Sequence, residues 1–258
     1  MPRQFGSNIL IDGRSFQDAP RVLKYETAVH RQLLCVLGFD AGRAVINEVW
    51  TKPRRLQIRP WRNRRQVNAE AAALDGRAAT MPFRPVRSGR DGHHDPAWGH
   101  GTGRGSHVRL SYSPWNWGDD VYDWDPIARN NFAFMTGTMP PDPGDDAGEV
   151  LLHEFVHALR AMSGREIGLP MGRGFDTQEE FFAVLVTNIY TSERGRHRPL
   201  RADHSSTPLI TPRDWRTDRE FQALIRAVRT SHPSLVHRLA RVRADFNPFA
   251  DRYGPSWP

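Results

Sequence analysis

The sequence predicts an α+β fold in which several helices pack against a small sheet. Apolar residues recur at helical spacing in three long segments, residues 20–37, 150–160 and 176–190. Three shorter segments have the length and apolar content of strands, residues 8–12, 56–61 and 108–112. A chain of 258 residues with 38% hydrophobic side chains is long enough to bury a real core. We therefore expect a single domain over residues 1–258.

The chain is strongly basic, with a net charge of +7 and an isoelectric point near 10.2. Such a charge favours anionic partners, and here we expect an acidic target surface. Arginine is concentrated in residues 53–65, next to Trp61. This combination suits the binding of phosphates and bases, but it is equally typical of a solvated strand face. A mean hydropathy of -0.62 and 20 prolines predict much irregular surface.

Cysteine content and the distribution of apolar residues bear on the cellular compartment. Cys35 is the only cysteine, so no disulfide forms within one chain, and we expect Cys35 in the core. The sequence has no apolar run of membrane-spanning length, and residues 1–12 lack the layout of a signal peptide. We expect a monomer that does not bind a membrane and that, if exported, leaves the cell without a cleaved signal.

The first 61 residues are predicted to contain two helices and two strands. Pro20 suits the first turn of a helix that ends at Gly38, and a second helix follows over residues 40–50. The second strand contains Pro60, which cannot donate a backbone hydrogen bond and therefore suits an edge strand.

Residues 68–106 mix an alanine-rich patch with glycine, arginine and histidine, which predicts a long mobile loop. Four histidines at irregular spacing are a weak candidate for a second metal cluster: His93, His94, His100 and His107. Residues 108–112 then alternate as a half-buried strand should. The aromatic and acidic residues 115–124 and the proline-rich residues 140–146 suit either a cleft wall or simple surface covering.

The helix over residues 150–160 carries a His-Glu-x-x-His motif made of His153, Glu154 and His157. Residues four apart lie on one helix face, so both imidazoles can reach a single metal ion. Zinc binds neutral imidazole and leaves one position for water at catalytic sites, and Glu154 is suited to take a proton from that water. The alternative is a pair of structural histidines in the core.

The ends of this helix are also marked in the sequence. Asp145 or Asp146 can cap its start, and Gly164 can end it. A glycine-rich turn follows and leads to the next predicted helix, whose first turn contains Glu179 and Glu180. One of the two glutamates can be the third metal ligand while the other completes a capping box, and we favour Glu180 as the ligand.

These segments together resemble the gluzincin arrangement, in which the helix after the active-site helix donates a glutamate. The Glu-Phe-Phe-Ala run of residues 180–183 resembles the anthrax lethal factor peptidase domain, and Glu-Glu-Phe resembles the clostridial neurotoxin light chains. More broadly, the chain resembles the NleD-like effector metallopeptidases that bacteria inject into other cells. The similarity is weak over residues 8–61 and better over residues 107–204.

The resemblance implies a zincin-like metalloprotease fold with Zn²⁺ held by His153, His157 and Glu180. It also implies that residues 108–112 form an edge strand that holds an extended peptide. The chain departs from the family at His204, which stands in place of a tyrosine, and at Val184, which stands in place of an acidic residue. Three downstream polar residues are candidates for stabilising the oxyanion: Tyr190, Arg201 and His204.

The function expected from these observations is zinc-dependent hydrolysis of a peptide bond in a protein, a peptide or cell-wall material. The resemblance adds a secreted or injected toxin that acts in the cytosol or periplasm of a target cell. Residues 205–258 are expected to form helices that pack behind the site. The rival interpretation is a basic nucleic-acid-binding module in which the histidine motif is structural, and we do not favour nucleic acid as a partner.

Overall fold

A computed structural model describes residues 2–61, 68–75, 101–117, 144, 146–171, 174–195, 200–204, 215 and 218–250. These residues form an α+β structure with six α-helices: α1 Ala19–Leu37, α2 Asp40–Trp50, α3 Ala147–Ser163, α4 Gln178–Arg194, α5 Arg219–Ser231 and α6 Pro233–Leu239. The strands are β1 Arg3–Phe5, β2 Ile9–Ile11, β3 Leu56–Arg59, β4 Glu70–Ala73 and β5 Val108–Ser111. A short 3-10 helix follows β5, Pro114–Trp117.

The five strands form one mixed sheet in the order β1-β2-β3-β5-β4. The three central strands are parallel, and β1 and β4 pair antiparallel at the two edges. Side chains alternate between the faces, so Ile58 and Leu110 are fully buried against the helices while Arg109 on the opposite face is exposed. This one-sided burial is why the strand pattern is visible in the sequence.

Two expectations about the edges of the sheet were wrong. The strand expected at residues 56–61 lies inside the sheet, and Pro60 follows its last residue. The strand over residues 108–112 is also internal, because β4 pairs along its outer side. Part of the predicted loop over residues 68–106 is therefore the edge strand β4. Its alanines have little intrinsic β propensity, and β4 instead pairs with a strand distant in sequence.

The helix α3 forms the centre of the core, and its ends are as the sequence predicts. The Asp146 side chain accepts hydrogen bonds from the backbone N–H groups of Gly148 and Glu149. At the other end Gly164 has φ 61°, a left-handed conformation that favours glycine. Nearly every residue of α3 is buried, because this helix contacts the strands β4 and β5 of the sheet and three neighbouring helices, α1, α2 and α4.

The helices α3 and α4 pack antiparallel and are tied together at both ends. Arg194 at the end of α4 donates to Asp146 at the start of α3 over 2.6 and 2.9 Å. Near the other end, Arg160 of α3 donates to Glu179 of α4 over 2.7 Å. The reversal after Gly164 thus returns the chain to the turn of α3 that carries the histidines.

The remaining helices complete the core. As expected, the C-terminal part of the chain contains helices, with α5 on α4 and α6 on α2. Cys35 does not lie in the core; it is exposed, because α1 buries the face that contains Tyr25, Val29, Leu33 and Val36. Among the described helices, none is both long enough and apolar enough to cross a membrane.

Candidate metal centre

Three donor atoms from α3 and α4 converge on one point. Nε2 of His153 lies 3.0 Å from Nε2 of His157. Oε2 of Glu180 lies 3.0 Å from the first of these nitrogens and 3.1 Å from the second. Zinc ligands at roughly 2.0–2.1 Å in tetrahedral geometry stand about 3.4 Å apart, so only a small adjustment separates these atoms from a zinc triad.

The electrostatics of the three groups also fit a cation. Burial lowers the pKa of His153 to about 3, so this imidazole is neutral and offers a lone pair. Burial also opposes charge on His157 and Glu180, but contacts with Glu179 and Glu180 outweigh it and raise the pKa of His157, and contacts with the two histidines lower the pKa of Glu180. Without an ion, a proton on His157 supplies the positive charge that these facing donors require. A divalent cation can replace that proton.

Glu179 and Glu180 have different tasks. Glu180 turns toward the histidines, whereas Glu179 accepts hydrogen bonds from Arg160 and from the backbone N–H of Ile167. Oε1 of Glu179 also lies 3.6 Å from Nδ1 of His157. This is beyond an ordinary hydrogen bond but close enough for the carboxylate to favour a proton on Nδ1, which leaves Nε2 for a metal.

The expected capping role of Glu179 is therefore wrong. Thr177 caps α4, and its hydroxyl accepts from the backbone N–H of Glu180. Glu179 is instead the carboxylate that faces Nδ1 of His157, a role for which the sequence indicated no residue. The Glu-Glu doublet contained this signal, because adjacent residues on a helix point about 100° apart and can serve a metal ligand from two sides.

Glu154 shares a cavity of about 460 Å³ with the two histidines and Glu180. Its side chain is largely buried, and this burial raises its pKa to about 7. The backbone N–H of Ala71 in β4 faces the carboxyl group and partly opposes that rise. The glutamate of the motif therefore lies between the donor cluster and the edge strand β4.

His204 lies at the more open side of the cluster. Its Nε2 is 3.0 Å from Oε2 of Glu180, its Nδ1 is 3.1 Å from Asp176, and its ring stacks on that of His153. Donor atoms of His153, Glu180 and His204 all lie within 4.8 Å of one another, so His204 is a candidate fourth donor. The distances of 3.0 and 3.1 Å around His157 favour the triad with His157 as the ligand set.

Arg201 positions His204 through the backbone. Its guanidinium donates to the carbonyl oxygen of His204, and its own backbone is fixed by two hydrogen bonds with the Asn188 side chain, of 2.8 and 2.9 Å. Gly174 helps as well, because its φ is 80° and an added Cβ would meet Cβ of Asp203 at 2.6 Å. The segment before His204 therefore packs directly on the Gly174 backbone.

The structure does not bring Tyr190 to the site, so the oxyanion role predicted for it is wrong. Tyr190 is 1% exposed, and its ring packs edge-on against Phe39 at 5.4 Å. It stands ten residues after Glu180 on α4, which is about 15 Å along the helix axis. Sequence distance alone did not reveal this separation.

The second histidine cluster receives no support from the described residues. Nδ1 of His107 accepts the backbone N–H of Arg55 at 2.8 Å, which is a structural contact beside β3. His93, His94 and His100 lie outside the described residues, as do residues 118–124, 140–143 and 145 of the two proposed wall segments.

No known protein family matches this chain, and neither a curated protein nor a solved structure matches it. The resemblance to gluzincins and to NleD-like effectors therefore stays a prediction from the sequence motifs. The convergence of the donor atoms does not depend on any relative, so it can support a function by itself.

Proposed function

We propose that this protein is a zinc-dependent metallopeptidase that hydrolyses a peptide bond in a protein or peptide substrate. The observation that carries the proposal is the convergence of His153, His157 and Glu180 within 3.0–3.1 Å. Glu154 lies in the same cavity, as peptide hydrolysis by activated water requires.

In this proposal the three convergent side chains hold Zn²⁺, which when bound supplies a Lewis acid and lowers the pKa of water toward roughly 7. Glu154 accepts the proton of the attacking water through its carboxylate and returns it to the leaving amine nitrogen. The largely buried position of Glu154 keeps bulk water from competing for that proton. Glu179 holds His157 in the orientation that presents Nε2.

The edge strand β4 is suited to bind the substrate backbone. Leu74 donates its backbone N–H to His107, so by the period of two the backbone groups of Ala71 point away from β5 toward the free edge. An extended peptide can pair with that edge and place its scissile carbonyl beside Glu154. The small side chains of this strand leave room for the substrate to approach.

His204 is the group best placed to steady the oxyanion. Its Nε2 lies beside the proposed ligand Glu180, on the open side of the cluster, and Arg201 fixes its backbone. A hydrogen bond aimed at a developing negative charge typically contributes a few kcal/mol to lowering the barrier. His204 would thus take the part for which the resembled family uses a tyrosine.

We also infer, from the resemblance, a zincin-like fold and a bacterial effector or toxin that acts inside a target cell. The antiparallel edge strand β4 beside the histidine-bearing helix α3 is compatible with that fold. The basic net charge of +7 would favour an acidic target surface.

The test measures metal content and hydrolysis in parallel. We expect one zinc per chain in the purified protein, lost on His157→Ala or Glu180→Ala, as measured by elemental mass spectrometry. Glu154→Gln should retain zinc and the thermal midpoint while hydrolysis of a quenched-fluorescence peptide library falls about 10²–10⁴-fold. Full activity of this variant, or zinc that survives both ligand changes, would refute the mechanism. Salt-dependent nucleic-acid binding without hydrolysis would favour the rival function.

A further inference from the structure

A second cavity of about 610 Å³ lies on the sheet face that points away from α3. Three arginines line it, Arg14, Arg59 and Arg109, together with Asp12 and Trp61. None of the described residues that line this cavity also lines the metal centre. Nothing in the proposed hydrolysis uses these side chains, so the cavity has no role in that chemistry.

The strand register places two of these arginines on one face. Arg59 of β3 pairs with Ser111 of β5, and Gln57 pairs with Arg109, so Arg59 and Arg109 are diagonal neighbours. Ile58 and Leu110, each next in sequence to one of these arginines, are fully buried on the opposite face. The basic face is therefore a direct consequence of the alternation that buries the core.

Asp12 organises the cationic side chains around it. Its carboxylate is 3% exposed and accepts from Nε and Nη2 of Arg14 at 2.8 and 2.9 Å, and from the amide of Gln57 at 2.7 Å. Nη2 of Arg59 lies farther away, at 3.6 Å. The cavity thus holds three guanidinium groups and one carboxylate, which leaves an excess of positive charge facing it.

The basic cavity adjoins the strand that is proposed to bind the substrate. Ser111 lines the cavity, and its cross-strand partner Glu70 in β4 lines the metal centre. Neighbouring strands are about 4.8 Å apart, so Arg109 lies roughly two strand spacings from a peptide paired to the β4 edge. A substrate that leaves the cleft reaches this face within a few residues.

We propose that this cavity binds an acidic segment of the protein substrate and thereby selects which proteins are cleaved; this inference rests on the proposed peptidase function. Carboxylates are the complement of Arg59 and Arg109, and Trp61 offers an apolar wall for the aliphatic parts of glutamate. A nucleic-acid backbone fits less well, because the site is a discrete cavity rather than a basic stripe that could follow a row of phosphates.

The test uses the full-length, zinc-loaded Glu154→Gln variant, which binds without cleaving. A fluorescein-labelled ten-residue peptide of alternating glutamate and serine is titrated, and anisotropy reports binding. We expect Arg59→Gln/Arg109→Gln to weaken binding at least tenfold with zinc content unchanged. The single variant Arg109→Gln, at an exposed position, should show part of the loss even if the double variant folds poorly.

The matched control is Arg31→Gln/Arg226→Gln, which removes the same charge from exposed positions on α1 and α5. If this control loses as much peptide affinity, the effect comes from the net charge of the protein rather than from the cavity, and the proposal is overturned. The proposal is also overturned if the acidic peptide does not bind. It is overturned as well if single-stranded DNA with the same number of charges binds more tightly than the peptide and depends on the same arginines. If any of these outcomes occurs while the protein still binds zinc and hydrolyses peptides, the cavity proposal is refuted and the peptidase function is not. If peptide binding stands without hydrolysis by the wild type, the peptidase function fails, and with it the selection of cleavage targets, while the cavity remains a binding site for acidic segments.

Discussion

His204 has two roles open to it at the metal centre, that of a fourth ligand and that of a hydrogen-bond donor to the substrate. As a fourth ligand it would complete the coordination of the ion and exclude water from it. As a hydrogen-bond donor it would leave that position open and act on the substrate. The distance of 3.0 Å from its Nε2 to Glu180 allows both, while the compact donor set around His157 favours the second role.

We predict that His204→Gln retains zinc and loses about 10²–10³-fold in kcat, because an oxyanion donor acts mainly in the transition state. The visible spectrum of the Co²⁺-substituted protein should stay the same in this variant. His237→Gln, at an exposed position on α6, serves as the control. A changed Co²⁺ spectrum or a weaker zinc affinity would instead identify His204 as a ligand.

The sequence identified most of the candidate site at the scale of single residues. Spacing on one helix predicted that His153 and His157 lie together, and the acidic doublet pointed to Glu180. Spacing could not predict Tyr190 correctly, because ten residues along a helix place it about 15 Å from Glu180 along the axis and on a different face. It also could not assign Glu179, whose partner Arg160 becomes a neighbour only when α3 and α4 pack.

Between the two helices, Arg160 and Glu179 form a buried pair that supports His157. Arg160 is fully buried, and its guanidinium also lies 4.6 Å from the centre of the Phe182 ring. Removing one partner leaves the other charge buried without compensation, whereas removing both does not. The pair is therefore suited to a double-mutant cycle.

We predict that Arg160→Leu lowers the free energy of unfolding by about 3–5 kcal/mol, and that adding Glu179→Leu recovers much of this loss. The double variant should still bind zinc about 10–100-fold more weakly, because His157 has lost its orienting carboxylate. Denaturant unfolding and competition with a zinc chelator measure the two effects. The supporting role of this pair would be contradicted if the double variant lost as much unfolding free energy as the two single variants together, or if its zinc affinity were unchanged.

On the sheet, the Arg14 guanidinium lowers the pKa of Asp12 from 3.8 to about 2. A pKa lowered by folding stabilises the protein above the unfolded value, and this contribution is lost as the pH falls from about 4 to 2. Arg14 is 60% exposed, so solvent screening limits the contribution to about 1 kcal/mol. Asp12→Asn should therefore unfold more easily at pH 7 and match the wild type near pH 2, as measured by urea titration.

The strand β4 shows why part of the fold was not predictable. The strands β2 and β3 and the helices α1 and α2 have strong local patterns, and their predicted positions agree with the structure to within a few residues, whereas the three-residue strand β1 was not predicted. By contrast, β4 is four residues long and mostly alanine, and β5, its only partner in the described part of the chain, is distant in sequence. Edge order depends on such long-range pairing, so a local feature such as Pro60 pointed to the wrong strand.

Across the whole molecule, the core is extensive enough that zinc is not needed to hold it together. One cluster of buried apolar side chains extends from β1 to the residues after α6. We predict that chelation leaves the far-UV circular dichroism unchanged and lowers the thermal midpoint. Readdition of zinc at about 1,000 times its dissociation constant should restore about 4 kcal/mol. Loss of helical signal on chelation would show that the ion is structural.

The antiparallel pair α3 and α4 has a consequence for metal choice. Because hydrogen-bonded ion pairs tie both ends of the pair, the donor triangle is already assembled before any ion arrives. Such a preformed triangle discriminates poorly among first-row ions of similar radius, and copper outcompetes zinc at most nitrogen and oxygen sites. The identity of the occupant in the cell would then depend on which ion is abundant there rather than on the protein's own preference.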